Sequence, residues 1–173
     1  VTLSAQTTDE GVNKVTPLLF KTFPTPEALA KAPLAQIEKI IGSLGFYRSK
    51  ARYIKAAAKI VTEEFGGVIP HDPGKLQRLP GVGRKSAVAI ISNIYPKYAN
   101  IGIPVDTHVI RFVKRFNLTK ATDPSKIEQD LMQIIPKKDW KRAGYAIKEY
   151  GRKEGRARGY KKEEDPLVKV LKK

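Results

Sequence analysis

A chain of 173 residues fits one or two domains, and its 41% hydrophobic content is enough to bury a core. Its 13 glycines and 12 prolines follow no period, no apolar run approaches the ~20 residues that cross a bilayer, and no signal-peptide pattern opens the chain, so it reads as a soluble globular protein. The absence of cysteine excludes disulfides, thiolate catalysis and any cysteine-ligated metal centre in this stretch, while a net charge of +16 and a pI near 10.0 point to a polyanionic partner.

Nucleic acid is the polyanion most often met. A lysine-rich surface serving only solubility is the plainer alternative. An anionic membrane surface is disfavoured, because the basic residues are spread along the chain rather than set on one amphipathic face.

The chain opens at Val1 directly into apolar sequence, Val1 and Leu3 and then Ser4-Ala5-Gln6, which leads us to expect a preceding segment. Thr7 with Glu10 has the spacing of a capping box, and a helix is predicted from about Glu10 to Phe20 with a bend or an end at Pro17. Thr25-Pro26, Asp72-Pro73, Asp123-Pro124 and Asp165-Pro166 each put a capping oxygen before a proline, whose missing N–H would have been unpaired in a first helical turn anyway.

Ser49 is expected to start a helix over Lys50 to Phe65, with Ile54, Ala57, Ala58 and Val61 along one face. Glycine turns are expected at Gly42–Gly45 and Phe65–Gly67. Ile127, Leu131, Ile134 and Ile135 mark a further helix. Val68-Ile69 and Ile101 to Val105 are too short and proline-bounded to seed a sheet, so the chain reads all-α. A hinge is expected over Tyr95–Pro104. The basic, glycine-punctuated stretch Tyr150 to Glu164 reads as a solvated loop.

The most informative string is Leu76-Gln77-Arg78-Leu79-Pro80-Gly81-Val82-Gly83-Arg84-Lys85-Ser86-Ala87. A short helix from Asp72-Pro73 meets a tight turn at Leu79–Gly83, and a second helix follows through Ile90 and Ile91. Two glycines let a phosphate approach the backbone amides, the second helix offers its N-terminal N–H groups to the same anion, and Arg84 and Lys85 add charge.

This string resembles the helix–hairpin–helix of the endonuclease III branch of DNA glycosylases. Three further blocks resemble that family in the same order. Leu3-Ser4-Ala5-Gln6-Thr7-Thr8-Asp9 is similar to its loop after the second helix, Gly45-Phe46-Tyr47-Arg48-Ser49-Lys50-Ala51 to its glycine-aromatic turn, and Val105-Asp106-Thr107-His108 to its catalytic aspartate segment. The blocks cover residues 1 to about 150. The family also carries a helical segment before the position matching Val1, in keeping with the abrupt start.

The resemblance implies a bilobal, all-helical DNA glycosylase fold. Residues 1–98 would form a six-helix-type lobe carrying the helix–hairpin–helix at 72–96, and residues 99–173 a C-terminal helical lobe. It implies a base-excision-repair glycosylase with AP lyase activity on oxidised pyrimidines and abasic sites. The partner would be duplex DNA holding such lesions, met by a monomer, with no membrane and in an intracellular, DNA-associated setting. Lys85 would be the nucleophile and Asp106 the essential carboxylate.

The chemistry suits those residues. A carboxylate stabilises the positive charge that builds on the sugar as the base leaves. A neutral amine, favoured by burial or neighbouring cations, then attacks C1′ and forms a Schiff base that permits β-elimination. Lys85 could instead contact a phosphate, and Asp106 could serve only as the N-cap of the helix holding Val109, Ile110 and Val113. The resemblance also implies that Gln6 fills the void left by an extruded nucleotide and that Phe46 wedges beside the orphaned base, although Phe46 could equally be core. Gly81, Val82, Gly83, Arg84, Arg152 and Arg156 would contact DNA. His108 would face a phosphate or the pocket rim, or simply lie on a helix surface.

One departure stands out. The family usually ends in four cysteines holding a [4Fe–4S] cluster; Gly155 stands near the first ligand position, and the chain has no cysteine. No cofactor is therefore expected, apart from a monovalent cation that hairpin carbonyls could hold. Arg152, Lys153, Arg156 and Arg158 could still meet phosphate. The loop that a cluster would pin needs another anchor, for which Tyr160, Leu167, Val170 and Leu171 are candidates. Two other readings stay open: a mismatch-specific glycosylase without lyase activity, which Lys85 argues against, and a non-catalytic helix–hairpin–helix DNA-binding module. In each case phosphate contacts should dominate affinity, each adding about −0.9 to the log–log salt slope on duplex DNA.

Overall fold

A computed structural model describes residues 1–153, 161 and 165–171. Among the described residues there are ten α-helices, three short 3-10 turns and no strand, so the chain is all-α. It divides into two compact units, Val1–Ile90 and Ile91–Lys173.

The first unit begins with a 3-10 turn at Thr2–Ser4, followed by α1 (Asp9–Thr22), α2 (Pro26–Lys31), α3 (Leu34–Ile41), α4 (Tyr47–Phe65), α5 (Pro73–Gln77) and the start of α6 (Arg84–Ile94). The cap of α1 is Thr8, accepting from the Gly11 amide at 3.2 Å, one residue later than the Thr7 that the spacing suggested. Thr7 is engaged elsewhere, as described below. Helix α1 also runs through Pro17 to Thr22. Pro17 and Asn13, whose carbonyl loses its donor, are both exposed, so water can satisfy that group. Thr25 and Asp72 cap α2 and α5 as expected, accepting from Ala28 (3.2 Å) and Lys75 (2.7 Å) amides.

Helix α4 starts two residues before Ser49 and has no side-chain cap. Its N-cap is Phe46 in the left-handed region (φ 58°). It ends on Gly66, whose φ of 61° terminates the helix without the penalty a Cβ would bring. Helices α2 and α3 pack on α4 around a core of Val15, Leu19, Phe23, Ile37, Ile41 and Ala51. Each large aliphatic among these contributes about 1.5–3 kcal/mol through burial.

The second unit contains a 3-10 turn at Pro96–Tyr98, α7 (Thr107–Arg115), α8 (Pro124–Ile134), a 3-10 turn at Lys137–Asp139, α9 (Trp140–Lys153) and α10 (Pro166–Leu171). Asp123 and Asp165 cap α8 and α10 through the amides of Ser125, Lys126 and Leu167. Val109 and Val113 of α7, Ile127 and Leu131 of α8, Ile147 of α9 and Ile103 form its core. Ile134, grouped with that apolar face from spacing alone, is exposed at the last position of α8.

Candidate functional site

In the first unit the hairpin between α5 and α6 spends one amide on itself. Val82 N–H donates to the Leu79 carbonyl at 3.0 Å and its side chain is buried. Val82 is thus a structural part of the turn. The amides of Gly81 and Gly83 have no protein acceptor among the described residues and remain available to an anion. Gly81 is required on two counts: its φ is +79°, and a Cβ there would lie 3.0 Å from Thr2 Cγ2 and 3.2 Å from the Tyr53 ring. Arg84, half-buried, and Lys85, exposed, open α6. The Lys85 side chain meets no carboxylate or acceptor among the described residues.

The lysine that the fold does bury is Lys50, 4% exposed. Its Nζ donates to Thr7 Oγ1, and Thr7 Oγ1 donates to the Ala5 carbonyl at 3.3 Å. This relay ties α4 to both neighbours of Gln6, which is held exposed at φ 51°. Burial lowers the Lys50 pKa below its usual value. Gln6, Phe46, Lys50, Tyr53, Thr2 and Gly81 line one pocket of about 300 Å³. The core alternative for Phe46 fails, since its ring is 68% exposed. Two non-glycine residues with positive φ therefore border the same pocket as the first hairpin glycine, a concentration of strain typical of working surfaces. The role of Lys50 went unread in the sequence, although Lys50, Ile54, Ala58 and Val61 follow the spacing of a helix's inner face.

In the second unit Asp106 caps α7. Its Oδ1 accepts from the amides of His108 (2.9 Å) and Val109 (3.0 Å), while Oδ2 has no protein partner among the described residues. A half-buried carboxylate held by one oxygen and free at the other can face developing positive charge. His108 is half-buried too. Its Nδ1 lies 3.0 Å from an Arg111 guanidinium nitrogen, and its ring sits so close to Gly151 of α9 that a Cβ there would be 2.7 Å from His108 Cβ.

Arg152 is exposed on the last turn of α9, and neighbouring Lys153 pairs with Glu149 at 3.1 Å. Gly155, Arg156, Arg158 and Tyr160 lie outside the described residues. The anchor of α10 differs from expectation. Leu167 and Val170 are exposed, and the side chain of Leu171 lies outside the described residues. The buried groups are Val168 and Asp165. Asp165 Oδ2 accepts from the Tyr150 hydroxyl of α9, which accepts in turn from Arg115 of α7 at 3.1 Å. Phe112 and Phe116 pack on the Tyr150 ring. Burial, and then the Asp165 bond, push the Tyr150 pKa up to about 12. The donor set does not fit a four-thiolate cluster: the chain has no cysteine, and no group of three His, Asp or Glu suited to a metal occurs among the described residues.

The fold is all-helical, with a glycine hairpin in the first unit and a helix-capping aspartate in the second. The comparisons make the class specific. Residues 1–137 match the HhH-GPD superfamily base excision DNA repair protein model. Endonuclease III of Synechocystis sp. is 47% identical over 150 residues, covering 87% of this chain and 68% of the relative. That of Bacillus subtilis is 38% identical over 171 residues, 98% of this chain and 77% of the relative. A solved structure of a trapped endonuclease III–DNA covalent intermediate with an estranged adenine matches with a TM-score of 0.86 and 36% identity, over 99% of this chain and 83% of that one. The chain belongs to the HhH-GPD superfamily of base excision DNA repair proteins.

Proposed function

We propose that the chain acts in base excision repair as a DNA glycosylase and AP lyase, with Lys85 as nucleophile and Asp106 as the carboxylate that stabilises the sugar cation. The observation that carries this reading is an amine at the head of α6 with no partner among the described residues, directly after a hairpin whose Gly81 and Gly83 amides likewise have no acceptor among them. Family membership supports it, as does similarity to an endonuclease III that forms a covalent DNA intermediate.

As the glycosidic bond breaks, the base departs with the bonding pair and Asp106 Oδ2 offsets the charge left on C1′. The lone pair of Lys85 Nζ bonds to C1′ as the nitrogen sheds a proton; the C1′–O4′ bond then breaks, O4′ takes a proton, and the opened sugar is held as the iminium, while on an abasic site the C1′ hydroxyl leaves as water instead of a base. Removal of a C2′ proton then expels the 3′ phosphate by β-elimination. Gln6 and Phe46 occupy the space vacated in the duplex. The substrates are oxidised pyrimidines and abasic sites in duplex DNA, taken by a monomer without a cluster, with Asp165 anchoring α10. A monovalent cation on the hairpin carbonyls is compatible with this scheme.

Borohydride reduction with an abasic-site duplex tests the reading. Wild type should give a covalent adduct, and Lys85→Ala should lose at least 100-fold in adduct yield while still binding duplex. Base release without an adduct would point to a monofunctional glycosylase, and binding alone to a non-catalytic module.

A further inference from the structure

A groove in the second unit, which includes neither the hairpin glycines nor Asp106, joins two cavities of about 540 and 370 Å³ that share Ala99, Asn100 and Lys138. Its walls come from the 3-10 turns Pro96–Tyr98 and Lys137–Asp139 and from the first turns of α9. Lys97, Lys137, Lys138 and Arg142 are exposed along it, and none pairs with a carboxylate among the described residues. Three rings line the same groove: Tyr98, Trp140 and Tyr145.

The frame is fixed rather than loose. Asn100 donates to the Lys138 carbonyl at 3.0 Å and accepts from the Lys141 amide at 2.9 Å, binding the two walls together. Trp140 Nε1 donates to the Ile135 carbonyl at 2.9 Å, and Lys141 Nζ donates to the Ser92 carbonyl at 2.7 Å. Lys97 and Lys137 each stand 5.9 Å from a ring centre, of Tyr98 and Trp140 respectively.

From this geometry we propose that the groove binds single-stranded nucleic acid, the unpaired cations taking phosphates and the rings stacking on bases. Cations interleaved with aromatic rings in a preformed concave site are the chemistry of single-strand recognition. A duplex keeps its base faces stacked inside and offers the rings nothing, so the groove selects against it. The Asn100 and Ile135 bonds hold the walls and the Trp140 ring in place before any ligand arrives, which lowers the ordering cost of binding.

Trp140 is the chain's single tryptophan, so its fluorescence reports this groove. Titrating the full chain with a ten-nucleotide oligothymidylate should quench that fluorescence to saturation, and the oligouridylate shows whether RNA serves as well. The affinity should fall with salt by about 0.7 log units per decade for each phosphate neutralised. The double variant Lys97→Glu/Lys138→Glu should weaken it at least 10-fold, and Tyr98→Ala should weaken it by about 5- to 150-fold, the range for one stacked base. Adduct yield on the abasic-site duplex should persist in the double variant, which separates this groove from the lyase reading. Absence of quenching, equal quenching of the double variant, or equal quenching by inorganic pyrophosphate or anionic phosphatidylserine vesicles would overturn the proposal.

Discussion

Lys50 and Lys85 divide between them two properties that a sequence leaves undistinguished. Lys50 is buried, holds Thr7 and has its pKa lowered by desolvation, while Lys85 is exposed and meets no partner among the described residues. In this account Lys50 positions Gln6 and never touches the sugar. Lys50→Met keeps the stem and removes the relay to Thr7 and Ala5, so the loop bearing Gln6 loosens. Stability should change little, because exchanging a buried charge for an apolar group of similar length is often neutral. Binding of abasic duplex should weaken about 5-fold or more, with β-elimination at saturation nearly unchanged; equal losses in both would make Lys50 part of the chemistry. A folded-state lysine pKa below the unfolded value makes wild-type stability rise as pH approaches 10.5, and Lys50→Met should lack that rise in a series of urea melts.

At the scale of elements, the second unit depends on how α9 meets α7 and α10. Gly151→Ala would drive a methyl group to 2.7 Å from the His108 side chain, so the helices must part. Overpacking of this kind costs about 1–3 kcal/mol. A thermal melt should fall by about 2–4 °C per kcal/mol; an unchanged midpoint would contradict the packing. Tyr150 sets a second test. Its hydroxyl holds its proton more tightly in the folded state, to about 12 against an unfolded value near 10, so its contribution is complete below pH 10 and is lost as pH rises from 10 to 12. Tyr150→Phe should be less stable at neutral pH and should lack that alkaline fall, which chemical denaturation of both proteins between pH 9 and 12 would show.

Across the whole molecule, what could be read from the sequence was what local chemistry dictates. The Asp-Pro and Thr-Pro caps, the hairpin glycines and the Asp106 cap all depend on residues within a few positions of one another, and each lies where the pattern indicated. Long-range partners were hidden. Thr7 meets Lys50 across 43 residues and Asn100 meets Lys138 across 38, so neither the engagement of Thr7 away from the α1 cap nor the joining of two short basic-aromatic runs into one groove could be read from neighbouring residues. The same limit applied to α10, where spacing suggested apolar packing by Leu167 and Val170 and the fold buries Asp165 instead.

The roles of the two lysines can be told apart in one measurement. Borohydride-reduced adduct formed on an abasic-site duplex is digested to peptides, the DNA is trimmed to the sugar, and mass spectrometry locates the added mass. The account predicts the modification on Lys85, with Lys50 unmodified. A sugar remnant on Lys50, or on any lysine that survives in Lys85→Ala at full yield, would contradict it.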